Sequence, residues 1–393
     1  MPILNRIAEF HADMTAWRRD LHQHPELALQ EVRTSAMVQQ HLRAFGVDEV
    51  HAGLAGTGVV GVIRGRAPGR AIGLRADMDA LPILEATGLP YASRHAGVMH
   101  ACGHDGHTAM LLGAARYLAE TRNFDGTVYV IFQPAEENFG GGEIMVRDGL
   151  FERFPMEQVF GLHNWPGHPA GAFLWRDGPI MAAVAFFDIT ISGHGAHGAQ
   201  PHLGIDPIVV AAQIVSAFQT IVARSIEPVQ GGVVTVGSLH GGDAHNVIPE
   251  TVVMKGTARW FDPAVGARIE AGVHALATGI AASFGARAEV SFRRIAPATI
   301  NDPQANVLAR AAAEAVAGSA RVAEMTHPTM GGEDFAFMLN AKQGSYILLG
   351  GQRGPEDAMV HHPRYDFNDD ILPVGASYWA TLAEQVLPRT GDA

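Results

Sequence analysis

The sequence predicts an α/β fold, a mainly parallel sheet domain interrupted by a compact α+β insertion. Three observations predict it. Short apolar runs alternate with helical periodicities over the first part of the chain. Near residue 180 they give way to strands that alternate faces, and after residue 296 the first style returns. Strands that alternate with helices are joined by crossovers into a parallel sheet covered on both faces.

Ile7, Phe10, Met14, Trp17 and Leu21 recur at helical steps, and a second helix follows Pro25 through Val38 and Leu42. Strands are expected at 58–63, 71–75 and 127–132, with a helix at 105–118 between the last two. A helix at 143–150 leads into a strand at 158–162. The insertion runs strand 183–191, helix 207–222, strands 232–239 and 251–259, helix 264–281, strand 288–293. That order is the split βαβ arrangement of ferredoxin-like modules. Helix 307–317, strand 346–350 and helix 374–386 complete the first domain. The expected domains are therefore 1–181 with 296–393, and 182–295.

At 393 residues the chain exceeds the roughly 250–300 residues that one core supports, which again asks for two domains. No run of about 18 apolar residues is present, so no membrane span is expected. The formal charge of −12 argues against nucleic acid and anionic membranes as partners. A single cysteine excludes an internal disulfide and suits a reducing compartment, and no basic-then-apolar leader opens the sequence. A cytoplasmic location is expected.

That cysteine lies in His100-Ala101-Cys102-Gly103-His104-Asp105-Gly106-His107. A free cysteine is ordinarily a small buried apolar residue. As a thiolate beside imidazoles it is a strong ligand for a borderline metal ion. Other reactive groups follow expected strands, where active groups of open α/β sheets collect. They are Asp77 and Asp79, Glu136-Glu137, His163-Asn164, and His361-His362. Adjacent glutamates closing a strand point opposite ways, so one can bind metal while the other faces a water. A cysteine, histidines and a carboxylate suit zinc, nickel, cobalt or manganese. Five ligands are too many for one tetrahedral ion and enough for two. Two ions can activate a water and polarise a carbonyl, and a second glutamate can carry the proton to a leaving amine. Such a constellation hydrolyses amides.

The motifs Trp17-Arg18-Arg19-Asp20-Leu21-His22-Gln23-His24-Pro25-Glu26-Leu27, Arg75-Ala76-Asp77-Met78-Asp79-Ala80-Leu81-Pro82, the Cys102 segment, Glu136-Glu137, Leu162-His163-Asn164 and 361–369 together carry a resemblance. Over nearly its full length the chain resembles the dinuclear metallopeptidase family of aminoacylases and bacterial carboxypeptidases. It is most similar to the amidohydrolase branch with hippurate hydrolases, N-acyl-amino-acid deacetylases and auxin-conjugate hydrolases. The resemblance implies Cys102, His104, Glu137, His163 and His361 as ligands of two divalent ions, Glu136 as general base, and Asp79 as a supporting carboxylate. It selects His361 over His362. Asp77 stands where other branches place a metal histidine. The insertion matches a lid and dimerisation domain, in which 193–202 sends His197 into the partner subunit's active site as an oxyanion donor. The segment 245–249 resembles the family segment that places an asparagine, here Asn246, on the substrate, and Met330 to Phe335 matches a loop lining the pocket. The implied activity is hydrolysis of N-acyl amino acids by a homodimer. Alternatives are a carboxypeptidase or dipeptidase, and a noncatalytic metal-binding or partner-binding protein on the same scaffold.

Overall fold

A computed structural model of the chain describes residues 4–137 and 140–390. They form two compact units. One comprises Met1–Ile180, Thr299–Pro328 and Glu333–Ala393, the other Met181–Ala298 with Thr329–Gly332.

The first unit is built on an eight-stranded sheet. Its strands follow the order Glu49–Leu54, Gly58–Arg64, Thr127–Gln133, Ala71–Asp77, Gln158–Pro169, Gln343–Gln352, Phe173–Trp175, Val322–Glu324. The four strands from Thr127–Gln133 to Gln343–Gln352 are mutually parallel. Their apolar runs are continuous because both faces are covered: Ile72, Leu74, Val128, Val130, Ile131, Phe132, Val159 and Phe160 are fully buried. Antiparallel pairs flank this centre, so the sheet is mixed at its sides. The strand Glu49–Leu54 went unpredicted because it is an outer strand with one buried residue, and its polar composition carries no alternation. The helix His104–Thr121 lies under the sheet, packed on Leu372–Val386 and His11–Gln23. It is buried all round, which explains its uninterrupted run Ala109-Met110-Leu111-Leu112.

The second unit has a four-stranded antiparallel sheet in the order Gly232–His240, Thr251–Trp260, Ala183–Ser192, Arg287–Ala296. In chain order that is second, third, first, fourth strand, the ferredoxin-like arrangement. The helices Pro207–Ser225 and Pro263–Ser283 cover it. Each starts with an Asp-Pro pair, Asp206 and Asp262 accepting from the backbone N–H two residues on. Pro207–Ser225 is long and apolar enough to cross a bilayer by composition alone. One of its faces, with Val210, Ile214, Phe218 and Ile221, lies in the core of this unit.

Two buried ionic networks brace the first unit. Arg75, in the middle of an apolar strand, is fully buried and bonds Gln133, Asp77, Glu333 and Asp334 at 2.8–3.1 Å. Glu333 and Asp334, expected in a loop near the pocket, lie with their carboxylates within 4.8 Å of that of Glu136. They are buried partners of a guanidinium. Arg18 bonds Asp369 at 2.6 Å and lies 3.8 Å from Asp105. His22, equally buried, sits 2.8 Å from Asp105 and 3.4 Å from Glu85. Burial pushes the His22 imidazole down, but the bonds to Asp105 and Glu85 outweigh it and hold its pKa at about 9.

A raised imidazole pKa stabilises the fold fully below the unfolded value of about 6.5, and the contribution disappears as pH climbs through about 9. The parent protein is expected to lose on the order of 1–3 kcal/mol of unfolding free energy from this group between those limits. Denaturant unfolding at pH 6 and 9.5 checks it. A His22→Asn protein should show a smaller difference between the two pH values, and an equal difference would contradict the assignment.

Candidate metal centre

Cys102 and His104 reach the site from the start of the helix His104–Thr121, with Gly103 between them in a left-handed conformation, φ +96°. A Cβ at Gly103 would stand 2.3 Å from Asn164 Oδ1 and 2.6 Å from the Tyr365 hydroxyl. Glycine is needed for both its φ and its bareness. Gly103→Ala is expected to reduce bound metal and activity severely, and metal analysis of purified protein checks this. A variant with parent metal content would show that the loop tolerates a different path.

Two further turns are strained. Ala135 has φ +57° and His361 φ +65°, values that non-glycine residues adopt at a free-energy penalty and that cluster at functional sites. The Ala135 N–H donates to Glu31 Oε1 at 2.9 Å, and the His361 N–H donates to the Ala101 carbonyl at 2.7 Å. The first turn aims Glu136 and Glu137. The second ties the His361 loop to the Cys102 loop.

The donors converge. Cys102 Sγ lies 3.3 Å from His163 Nε2, and with His104 they form a buried group whose ligand atoms lie within 4.8 Å of one another. Cys102, Glu137 and the exposed His361 form a second group at the same spacing, and His104, Glu136 and Glu137 a third. Cys102 thus belongs to two sets. Glu136 and Glu137 do not point opposite ways: each places an oxygen 3.9 Å from His104 Nε2, because they sit in a turn beyond the strand. His163 and Asn164 lie within the strand Gln158–Pro169, beside Leu348 and Leu349, instead of following its end. Among the described residues His361 joins a donor group and His362 joins none. His362 instead lines a cavity of about 290 Å³ with Asn164, Arg353, Arg364 and Tyr365.

The surroundings fix ligand geometry. Asp79 bonds His104 Nδ1 at 3.2 Å through Oδ1, and accepts the Glu137 N–H at 2.9 Å through Oδ2. The Asp79 carbonyl also faces His104 Nδ1, at 3.0 Å. His104 Nδ1 therefore carries a proton, and Nε2 faces inward. His163 Nδ1 likewise donates to the Asn164 carbonyl at 2.6 Å, leaving Nε2 toward the thiol.

The residues present fit metal. His104 Nε2 and Glu137 Oε1 are buried without a hydrogen-bond partner among the described residues. His361 Nε2 approaches Glu137 Oε1 at 3.2 Å but without hydrogen-bond alignment. Burial, followed by the nearby Glu137, Glu136 and Asp77, pushes the Cys102 thiol far up. Burial, then Glu333 and Glu137, raises the Glu136 carboxyl well above its ordinary value. Burial lowers His104, but Asp77 and Asp79 lift it to about 10. The protein alone thus holds protons where a cation belongs. A divalent ion would release them and pair the orphaned atoms.

His197 and Asn246 lie in the second unit. The short strand Ala196–His197 pairs antiparallel with Val247–Ile248, His197 opposite Val247. The Gly198 N–H donates to the Asn246 carbonyl at 2.7 Å. His197 is exposed, and its Nδ1 accepts the Ala199 N–H at 3.0 Å, so Nε2 carries the proton.

Sequence reasoning gave no part to Arg75, His107 or Asn164, and none to Asp77 beyond its place. The available signals were a guanidinium inside an apolar strand, and the spacing of His104 and His107, which puts both on one helical face.

Comparison with known proteins identifies the family. The model of a family described as Peptidase family M20/M25/M40 matches residues 73–385. The hippurate hydrolase of Campylobacter jejuni is 38% identical over 387 residues, covering 98% of this chain and 100% of its own. The N-acetyl-L-cysteine deacetylase of Bacillus subtilis is 42% identical over 363 residues, covering 92% of this chain and 85% of its own. The crystal structure of the Bacillus subtilis YXEP protein, described as a dinuclear metal binding peptidase from the M20 family, superposes with a TM-score of 0.83. It is 36% identical and covers 97% of this chain and 99% of its own. On sequence, on fold and on its gathered donors, the chain belongs to peptidase family M20/M25/M40.

Proposed function

We propose that the protein is a metal-dependent amidohydrolase that cleaves N-acyl amino acids, of hippurate or N-acetyl type, into a carboxylic acid and an amino acid. The observation that carries this reading is the gathering of a thiol, imidazoles and carboxylates around the unpartnered His104 Nε2, with Glu136 beside them. The names of the relatives support the substrate class. In this reading Cys102, His104, Glu137, His163 and His361 hold two divalent transition-metal ions of manganese, zinc, cobalt or nickel type. Asp79 orients His104.

When bound, the ions supply a more acidic water and a polarised substrate carbonyl. Glu136 takes the proton of the attacking water and delivers it to the leaving nitrogen. The N–H at His197 Nε2 donates to the oxygen on which charge develops, and Asn246 holds the substrate. His197 acts from the partner of a homodimer formed through the second unit, the lid. Apolar side chains exposed at the start of the lid helix, Ile208 and Val209, support such an interface. The enzyme works on small molecules in the cytoplasm, and its formal charge of −12 disfavours nucleic acid and anionic membrane surfaces.

The test is a panel of N-benzoylglycine, N-acetyl amino acids and dipeptides. Stripped protein receives manganese, zinc, cobalt or nickel separately. Turnover of the acylated amino acids over dipeptides supports the reading. Turnover of dipeptides alone would replace it by a dipeptidase, and none with any metal would sink it.

A further inference from the structure

Asp77, His107 and Asn164 have no part in the proposed reaction, yet they are only 0%, 1% and 2% exposed. They form a continuous polar chain beside the donors, with Asp77 and His107 each offering an atom within 4.8 Å of one on His104. Arg75 Nη1 donates to Asp77 Oδ2 at 2.8 Å. The other oxygen of Asp77 meets His107 Nδ1 at 2.5 Å. On the far side of that ring, Nε2 accepts the backbone N–H of Asn164 at 3.0 Å. The Asn164 carbonyl then accepts from His163 Nδ1 at 2.6 Å, and the His163 ring stands edge-on to His107 with centroids 4.5 Å apart.

His107 is held at both ring nitrogens. Nδ1 donates to Asp77, and Nε2 meets the backbone N–H of Asn164 and, at 2.6 Å, its side-chain oxygen. The side-chain N–H of Asn164 donates to the Tyr365 hydroxyl at 2.7 Å.

We propose that His107, clamped by Asp77 and Arg75, is a positioning residue that fixes Asn164 and through it the ring of His163. The proposal rests on the reading of His163 as a ligand. Without the His107 acceptor, the buried N–H of Asn164 is orphaned and the stretch of strand that carries His163 relaxes toward another partner. Asp77 contributes a second constraint. Its Oδ2 lies 3.7 Å from His104 Nε2, and the bond to Arg75 keeps that oxygen from capturing the nitrogen.

The experiment measures cobalt(II) affinity by chelator competition and the visible spectrum of the cobalt-loaded protein. His107→Ala is expected to weaken cobalt binding by about 10–100-fold and to shift the spectrum. His107→Gln, which returns an acceptor near Nε2, should recover part of both. The losses in His107→Ala and Asp77→Asn should not add in the double variant, because the two act through one chain. Parent affinity and spectrum in folded His107→Ala, a lowered thermal midpoint with an unmoved spectrum, or additive losses would each overturn the proposal. Should His107→Ala not fold, Asp77→Asn must show the weakened affinity and shifted spectrum, and parent behaviour there refutes it equally. His163→Ala in the same assay separates the two readings. Lost cobalt there beside a parent-like His107→Ala defeats only the positioning role, whereas retained cobalt defeats the ligand assignment.

Discussion

Glu136→Gln is expected to keep its metal and lose turnover of N-acyl amino acids by about 10²–10⁴-fold, the contribution of a positioned acid/base group. The substitution preserves shape in a position only 6% exposed, so packing changes little. Its amide cannot accept a proton, so the attacking water keeps its own and the leaving nitrogen receives none. Glu137 does not substitute for it. In the proposed site Glu137 is occupied as a ligand, and its carboxyl is held below its ordinary value: burial raises it, but His361 and His104 outweigh that. Metal analysis and steady-state kinetics on one preparation decide the matter. Parent turnover would remove Glu136 from the mechanism, and loss of metal would reassign it to the ligand set.

The largest effect on metal itself is expected from Cys102→Ala. The thiol belongs both to the group with His104 and His163 and to the group with Glu137 and His361. Removing it therefore weakens both sets, by about 100-fold or more, since even supporting residues around a metal cost 10–100-fold. The fold should survive, because alanine fits the same buried space and no disulfide is lost. Without metal, the apo variant should be no less stable than the apo parent, whose buried thiol sits among carboxylates. Metal stoichiometry and unfolding midpoints with and without chelator check both statements. Unchanged stoichiometry would show that neither set needs the thiol.

The sheet centre was legible because strands buried on both faces must be apolar throughout, as in Thr127–Gln133. The insertion was legible from the order of its elements alone. Glu49–Leu54 and Val322–Glu324 were not, because outer strands expose most of their side chains. Among site residues, Cys102 and His104 announced themselves through local composition. The facing of Glu136 and Glu137 was misread because the period-two rule stops where the strand stops, and Ala135 adopts a left-handed turn there. The pairing of Arg75 with Glu333 and Asp334 was not legible because charged residues distant in sequence reveal their pairing only when the fold brings them together.

The strand Gln343–Gln352 has one further consequence. It lies inside the sheet, between Gln158–Pro169 and Phe173–Trp175, although the whole insertion is synthesised between its neighbours and itself. A nascent chain leaving the ribosome therefore completes the insertion, whose strands pair among themselves, while the main sheet still waits for an interior member. His361 follows that late segment, so the donor set is complete only after the interior strand has been made.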